Sequence, residues 1–278
     1  MRRSVLQKTV PSVLSIAGSD SGGGAGVQAD LKTFAALGTH GTTAITCITA
    51  QNPAGVMGIQ AIKSSMVTLQ LEAVFAQLKP SAVKTGMLFS ASIINAVVEC
   101  LQAHRGIPLV VDPVLVATSG APLMETSAFK VLRKRLLPMA TVITPNTDEA
   151  EWLLGFRIHT RDHLRHAGME LHSMFGCAIL MKGGHLAAAR AKCGGESTRA
   201  EQGALDFFFD GRTETWLEAP FVSNVSTHGT GCVLSAAIAA HLARGMTLTK
   251  AVVESKKVVS RAIARGVLCR SHDVLWPF

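Results

Sequence analysis

The strongest constraint on the fold of this chain is a regular alternation of short apolar runs with segments of helical periodicity. Runs rich in apolar and β-branched residues occupy 12–18, 42–50, 81–86, 108–112, 141–145 and 177–184, and helical patterns lie between them. Buried parallel strands have this composition, and helices on both faces of the sheet join them by right-handed crossovers. The alternation therefore predicts an α/β fold with a mostly parallel central sheet.

One segment departs from this alternation. Residues 205–218, LDFFFDGRTETWLE, alternate around Asp210-Gly211, a dipeptide that supplies the positive φ angles of a type I′ turn. We expect an antiparallel hairpin at the sheet edge here. The 278 residues, 48% of them apolar, can form a single domain over 1–278. Within it we expect a flexible N-terminus at 1–11 and a mobile polar loop at 187–204.

Composition argues against several classes of protein. The sequence has no run of eighteen apolar residues and no apolar signal-peptide segment, so we expect neither a membrane partner nor secretion. Its six cysteines are far apart and form no C-x-x-C pair, which favours the cytoplasm and argues against a zinc site. The net charge of +8 comes from scattered Lys and Arg residues without interleaved aromatic residues. We therefore expect no nucleic-acid partner and only a few cations facing a phosphate-bearing ligand.

A glycine-rich stretch at 18–30, GSDSGGGAGVQAD, follows the first expected strand. A dinucleotide-binding turn would need an acidic residue about twenty positions later, but no Asp or Glu occurs between Asp30 and Glu72. No Gly-Lys-Ser/Thr follows a glycine run either, which excludes a Walker A loop. The stretch is therefore either a sharp turn or a place where backbone N–H groups approach a ligand at the carboxyl end of the strand.

A second glycine-containing motif, Thr227-His228-Gly229-Thr230-Gly231-Cys232, precedes an Ala-rich helix expected at 231–244. Free N–H groups and the helix dipole make such a helix start a binding site for anions, and phosphate is the expected ligand. The same position tends to lower a thiol pKa, so we expect Cys232 to be partly thiolate near neutral pH. The alternative is that the glycines only end a loop and that Cys232 is a small packed residue.

Polar residues at the ends of later strands point to the same edge of the sheet. Asp112 ends one run, and Asn146 and Glu149 begin the helix after Pro145, where Asn146 can equally be a simple N-cap. Mg²⁺ needs only one or two carboxylates besides phosphate oxygens. Lys182 adds a cation for nucleotide phosphates. Three histidines are expected to be loop or packing residues: His40, His185 and His228.

Read in order, these motifs resemble those of the hydroxymethylpyrimidine/phosphomethylpyrimidine kinases of thiamine synthesis, in the ribokinase-like superfamily. The resemblance covers about residues 12–265 and includes AGSDSGGGAGVQAD, VKTGML, VVDPVLVATSG, ITPNTDEAEWLLG, LMKGGH and STHGTGC. It implies a three-layer α/β/α sandwich, use of ATP with Mg²⁺ and with a monovalent cation as an optional second ion, and a homodimer. It also implies two successive phosphorylations, of an aminopyrimidine hydroxymethyl group and then of its monophosphate.

The resemblance also implies roles for individual residues. The aminopyrimidine would contact the following residues: Gly18, Asp30, Gln51, Met87 and Val114. The metal ion would bind at Asp112 and Glu149. The nucleotide would contact these residues: Asn146, Lys182, Gly183, Thr227 and Gly229. The catalytic anion hole would consist of Gly229, Thr230, Gly231 and Cys232, with Cys232 standing where sugar-kinase relatives carry an aspartate base.

Departures from the family pattern occur at a few other positions in or beside these motifs. Relatives usually have Lys at Thr118, Asn at Ser226, and Pro-Ser at Ser21-Gly22. These differences bear on the phosphate-covering loop and on the second phosphorylation more than on the fold. Two alternatives stay open at this point: a pyridoxal-type kinase of vitamin B6 salvage, and a ligand-binding relative without catalytic activity.

Overall fold

The computed structural model describes residues 9–115, 124–184, 203–220, 222, 228–265, 267–269 and 272–277. Its strands are β1 (Ser12–Asp20), β2 (His40–Asn52), β3 (Gly55–Ala61), β4 (Ala82–Thr85), β5 (Leu109–Val111), β6 (Val142–Ile143), β7 (Ala178–Lys182), β8 (Gly203–Phe209), β9 (Glu214–Pro220), β10 (Val267–Cys269) and β11 (His272–Val274). The first nine form one sheet in the order β3-β2-β1-β4-β5-β6-β7-β8-β9, and β10 pairs with β11 separately.

The sheet is parallel through its centre and antiparallel at both edges. Strands β2, β1, β4, β5, β6 and β7 pair in parallel, and β8 and β9 form the antiparallel hairpin predicted at 205–218. At the opposite edge, β3 pairs antiparallel with β2, which was not predicted. Nearly all of β3 is exposed and it includes Gly55 and Gly58, so no buried apolar run marks it in the sequence.

Helices cover both faces of the sheet. None of those described is long and apolar enough to span a membrane. Their bounds are α1 (Gly26–Ala36), α2 (Ser64–Gln77), α3 (Ala91–Ala103), α4 (Thr126–Val131, continued by a π turn at Leu132–Leu136 and a 3₁₀ turn at Leu137–Met139), α5 (Thr147–Leu154), α6 (Arg161–Phe175), α7 (Thr230–Ala243) and α8 (Leu248–Ala264).

Two separate apolar clusters lie on the two faces of the sheet. Leu14 and Ile16 of β1 belong to the cluster that packs against α2, α3, α5 and α6. Val13 of the same strand belongs to the other cluster, which includes residues of α1, α7 and α8. Because side chains of a strand alternate between its faces, this division confirms the predicted three-layer α/β/α architecture with a mostly parallel sheet.

Helix α7 is buried within its layer. Nine consecutive residues from Val233 to His241 are buried, as expected for a helix that is apolar on all sides. It packs against β1, β4 and β5. Tight packing of this kind fixes the position of the helix start at Thr230 relative to the ends of the strands.

Candidate active site

Three elements meet at one edge of the sheet: the end of β5, the end of β7 and the start of α7. Asp112 directly follows β5, and its Oδ1 atom lies 2.9 Å from the Nζ atom of Lys182, the last residue of β7. Ser235, in the first turns of α7, donates a hydrogen bond to Oδ2 of Asp112 at 3.3 Å. The structure therefore brings together Asp112, Lys182 and the anion-hole motif, as the sequence predicted.

Gly229, the N-cap of α7, and Gly231, in its first turn, shape the start of this helix. Gly229 caps the helix with a φ angle of +82°, and a Cβ atom placed there would lie 1.9 Å from the carbonyl oxygen of Gly24. A Cβ atom placed on Gly231 would lie 3.1 Å from Nζ of Lys182 and 3.6 Å from Oδ2 of Asp112. The absence of a side chain at Gly231 thus lets the N-terminal end of a helix lie directly against this ion pair. We call the place where Gly231 meets Asp112 and Lys182 the Gly231 cradle.

Asp112 and Lys182 are both charged in this arrangement. Burial raises the pKa of the Asp112 carboxyl, but the charges of Lys182 and Lys84 and the hydrogen bonds from Lys182 and Thr144 together outweigh this effect and leave the pKa below its ordinary value. Burial lowers the pKa of Lys182, but Asp112 and Glu149 outweigh it and raise the pKa above its ordinary value. Asp112 also accepts a hydrogen bond from Thr144 at 3.2 Å. The cradle floor is therefore a fixed ion pair.

Asn146 and Glu149 form a capping box at the start of α5. Oδ1 of Asn146 accepts the N–H of Glu149, and Oε2 of Glu149 accepts the N–H of Asn146, both at 2.8 Å. Asn146 is thus the N-cap that the sequence left as an alternative. The same Oε2 atom lies 3.8 Å from Nζ of Lys182. Burial raises the pKa of Glu149 to about 7, although Lys182 opposes this shift.

The carboxylates at this edge suit magnesium. No cluster of three or more His, Cys, Asp or Glu side chains with metal-site geometry occurs in the described part of the chain. Asp112 and Glu149, on either side of Lys182, supply one or two hard oxygen ligands, and Mg²⁺ bound with phosphates needs no more from the protein. The donor set therefore fits the predicted ion.

Cys232 does not have the pKa that its position at the start of a helix predicted. Burial raises the pKa of the thiol to about 11, although the Lys84 ammonium and the Gly26 N–H favour the thiolate. The effect of desolvation on a charged sulfur outweighs that of the helix end. The expectation of a partial thiolate near neutral pH is therefore corrected: in this structure Cys232 is a protonated thiol.

Asp30 is placed differently from the ring-binding role that the resemblance implied. Its side chain is fully buried, and its two carboxylate oxygens lie 2.8 and 2.9 Å from Nζ of Lys84. Ser15 donates a further hydrogen bond to it at 2.5 Å. The carboxylate is thus enclosed by protein groups. Lys84 was not predicted, although a lysine inside a strand of otherwise buried residues signals a buried partner.

Other predicted pocket residues lie near one another at the end of β1. A Cβ atom on Gly18 would lie 3.8 Å from Sδ of Met87. Oε1 of Gln51 accepts from Thr49 at 3.3 Å, and Nε2 of Gln51 lies 3.1 Å from Nε2 of His228. His228, expected to be a loop or packing residue, is therefore a direct neighbour of Gln51. Val114 is half-buried two residues after Asp112.

Asp20 is a further residue that was not predicted. Its carboxylate accepts the N–H groups of Gly22, Gly24 and Ala25 at 2.8 to 3.0 Å, and it lies 3.7 Å from Nε2 of His228. Burial raises its pKa, but the hydrogen bonds from His228 and the backbone outweigh this effect and lower it. Asp20 thus holds the glycine turn closed against the loop of Gly229. An aspartate before a glycine run is the signal that marks such a turn.

Some predicted features fall outside the described residues. These are Thr227 of the nucleotide set, Thr118 and Ser226 among the departures, His185, residues 1–8 of the expected N-terminal segment, and 187–202 of the expected loop. Residues 203 and 204, also assigned to that loop, are instead the first two residues of β8.

Comparison with known proteins places this geometry in a family. A family model described as phosphomethylpyrimidine kinase matches residues 20–274. The hydroxymethylpyrimidine/phosphomethylpyrimidine kinase of Streptomyces coelicolor is 45% identical over 258 residues, which cover 93% of this chain and 90% of that protein. The thiamine biosynthesis bifunctional protein ThiED of Geobacter sulfurreducens is 44% identical over 252 residues, which cover 91% of this chain and 49% of that protein. The chain thus spans about half the length of the bifunctional relative.

Solved structures agree with this assignment. The crystal structure of phosphomethylpyrimidine kinase from Clostridium difficile 630 is 41% identical, with a TM-score of 0.77 and coverage of 91% of this chain and 99% of that one. An ADP complex of Bacillus subtilis pyridoxal kinase is 32% identical, with a TM-score of 0.83 and coverage of 96% and 98%. Because the family model matches most of the chain and these relatives match along most of it, the chain belongs to the phosphomethylpyrimidine kinase family.

Proposed function

We propose that this chain transfers the γ-phosphoryl group of ATP to 4-amino-5-hydroxymethyl-2-methylpyrimidine and then phosphorylates the monophosphate to the diphosphate, in thiamine biosynthesis. The observation that carries the proposal is the Gly231 cradle, where a helix start, Lys182 and Asp112 come together. Positioning and charge stabilisation supply most of the acceleration in phosphoryl transfer, and this cradle provides both. The 45% identity to a kinase named for both substrates supports both steps.

Each side of the cradle has a distinct task in this reaction. The Lys182 ammonium binds phosphate oxygens of ATP as a point charge. The N–H groups at the start of α7, from Gly229 to Cys232, stabilise charge that develops on the transferred group. The Cys232 side chain, beside the same helix start, is the candidate base for the substrate hydroxyl. Met87 and Gln51 hold the ring so that its hydroxymethyl group points at the cradle.

Asp112 and Glu149 would hold a magnesium ion. When bound, this ion neutralises charge on the phosphate oxygens. With Lys182 between them, the two carboxylates also keep the lysine ammonium in a fixed position. Truncation of either carboxylate would therefore affect both cations of the site.

An assay with three acceptors tests the proposed function. Purified protein, ATP and Mg²⁺ are incubated with the aminopyrimidine, its monophosphate or pyridoxal, and both ADP and the phosphorylated product are measured. We expect turnover of both pyrimidines, with a higher kcat/KM than for pyridoxal. A preference for pyridoxal would favour the vitamin B6 alternative, and absence of ADP formation with every acceptor would favour a non-catalytic relative.

Replacement of Gln51 by alanine should weaken binding of the pyrimidine. If the Gln51 amide pairs with ring nitrogen and amino groups, its loss leaves these groups unpaired at a cost of roughly 1 to 3 kcal/mol, or about 5- to 150-fold in affinity. We expect KM for the pyrimidine to rise by this factor while KM for ATP stays nearly constant. Equal weakening of both substrates, together with a lower melting temperature, would indicate a folding defect instead.

We also propose a homodimer that forms through an apolar surface at the β3 edge of the sheet. The exposed apolar side chains of β2, β3 and α2 that would contribute to it are Ile48, Val56, Met57, Ile59, Met66 and Leu69. Met57 is 76% exposed, the largest value among the exposed apolar side chains described. An edge strand with unpaired backbone groups and apolar side chains associates readily with another copy. Two-fold symmetry would bury both copies of this surface.

Substitution of Met57 by glutamate tests the dimer. We expect light scattering after size exclusion to give twice the chain mass for the unmodified protein and the chain mass for the variant. Leu268→Glu, on the separate β10–β11 hairpin where Leu268 is 62% exposed, is the matched control and should remain dimeric. A dimer that survives Met57→Glu at micromolar concentration would place the interface elsewhere.

The cytoplasm is the compartment that we propose for this activity. The described cysteines are free thiols: Cys47, Cys100, Cys177, Cys232 and Cys269. Free thiols persist where glutathione and thioredoxin keep cysteine reduced.

A further inference from the structure

A buried ion pair lies beside the cradle and takes no part in the mechanism described above. Oδ2 of Asp206, in β8, lies 2.6 Å from Nζ of Lys256, in α8. Asp206 is buried, and the Lys256 side chain is only 13% exposed. Removal of two charges from water costs several kcal/mol per ion, and apolar residues of similar size often stabilise a fold as well or better. The pair is therefore weak evidence for a purely stabilising role.

The second carboxylate oxygen of Asp206 binds the backbone at the end of β7. Its Oδ1 atom accepts the N–H of Gly183 at 3.1 Å. Gly183 follows Lys182, where the ladder between β7 and β8 ends at the pair Lys182 and Asp206. A Cβ atom on Gly183 would lie 2.2 Å from the carbonyl oxygen of Leu205. The chain after Lys182 is thus held close against β8 by a side chain.

Lys182 and Asp206 also share a face of the sheet. Residues directly opposite each other in an antiparallel pair project to the same side. On this side Lys182 reaches Asp112 and the Gly231 cradle, while Asp206 turns to Gly183 and Lys256. One oxygen of Asp206 fixes the backbone next to the lysine, and the other is neutralised by α8.

We propose that Asp206 is a positioning residue for nucleotide binding, with Lys256 as its counter-charge, and this inference rests on the proposed function. By holding the Gly183 N–H, Asp206 sets the direction in which the chain leaves β7 and thereby the position of Lys182 in the cradle. A shift of about 1 Å in a binding group can cost about 100-fold in rate. Asp206 itself need not touch ATP.

A pair of double variants separates the hydrogen bond from the ion pair. Asp206→Leu with Lys256→Met removes both charges and the acceptor for Gly183. Asp206→Asn with Lys256→Met removes both charges but keeps an oxygen acceptor. Lys257→Met is the matched control, because Lys257 occupies the next position of α8 and forms an exposed ion pair with Glu254 at 2.8 Å. Affinity for Mg²⁺·ADP by calorimetry, KM for each substrate, kcat and the melting temperature are measured for all of them.

We expect the Asp206→Leu, Lys256→Met double variant, the leucine pair, to lose about 10- to 100-fold in Mg²⁺·ADP affinity and in kcat/KM for ATP, with KM for the pyrimidine unchanged. The Asp206→Asn, Lys256→Met double variant, the asparagine pair, should recover most of this loss, and Lys257→Met should match the unmodified protein. Unchanged nucleotide affinity in a folded leucine pair would overturn the inference, as would an asparagine pair that is equally impaired. If the leucine pair does not fold, Asp206→Ala with Lys256→Met takes its place with the same expectations.

Failure of the proposed function would give a different result from failure of the inference about Asp206. A protein that binds Mg²⁺·ADP but phosphorylates neither pyrimidine contradicts the assigned acceptor. The affinity comparison between the two double variants still decides whether Asp206 positions the nucleotide site.

Discussion

Replacement of Gly231 by valine should lower kcat/KM for phosphoryl transfer by about 10³-fold while the protein stays folded. A Cβ atom at this position lies 3.1 Å from Nζ of Lys182 and 3.6 Å from Oδ2 of Asp112, so the valine methyl groups would fill the cradle. The backbone of Gly231 does not have a positive φ angle, and valine fits the first turn of α7 without backbone strain. Steady-state kinetics and a thermal melt measure the two effects separately.

Gly229 provides the contrasting variant for this test. The Cβ atom of an alanine at position 229 would lie 1.9 Å from the carbonyl oxygen of Gly24, and the backbone there has a φ angle of +82°. The chain around Gly229 and the chain around Gly24 would therefore have to separate. We therefore expect Gly229→Ala to lower both the melting temperature and the activity, whereas Gly231→Val lowers only the activity. If Gly231→Val keeps kcat/KM within about tenfold of the unmodified protein, the transferred group does not occupy the cradle.

The fold could be predicted from the sequence where burial leaves a pattern. Strands β1 and β2 and the central strands carry apolar runs because both faces of a parallel sheet are covered. Strand β3 carries no such run, because almost all of it faces outward. Helix α7 was visible from its Ala-rich composition, although its burial on every side follows from packing against β1, β4 and β5.

The candidate site divides in the same way. Asp112, Lys182 and Gly231 could be predicted to meet, since the carboxyl ends of parallel strands lie at one edge of the sheet. Side-chain pairs between distant segments could not: Lys84 and Asp30 are 54 residues apart, and Lys256 and Asp206 are 50 apart. Neither pair follows from a local pattern, because their association depends on how helices α1 and α8 cross the sheet.

The pKa of Cys232 could not be predicted for a related reason. A helix start lowers a thiol pKa through nearby N–H groups, and this part of the environment is visible in the sequence. The desolvation that raises the pKa to about 11 comes from residues packed around the sulfur in three dimensions. The sequence thus indicated the effect of the helix start on the thiol pKa but not the larger effect of desolvation.

The pH dependence of turnover tests whether Cys232 is the base. A base acts in its deprotonated form, and a thiol with a pKa of about 11 is mostly protonated at neutral pH. If the thiolate accepts the substrate proton, kcat should therefore rise with pH, by about 100-fold between pH 7 and pH 9, since the thiolate fraction grows about tenfold per pH unit below the pKa. Cys232→Ala should remove this rise in kcat. At the upper end of this pH range it should lower kcat by about 10²- to 10⁴-fold.

Cys232→Asp completes the test, because it keeps a base at the start of α7 but changes its intrinsic pKa. A carboxyl group titrates several pH units below this thiol, so kcat for the variant should reach its plateau at a lower pH than kcat for the unmodified protein. Burial near Asp112 and Asp30, which disfavour negative charge at this position, raises the carboxyl pKa and limits the size of the shift. If Cys232→Ala keeps both the rate and the pH profile of the unmodified protein, the thiol is not the base. The catalytic contribution of the motif then lies in its backbone N–H groups, for which Gly231→Val remains the damaging change.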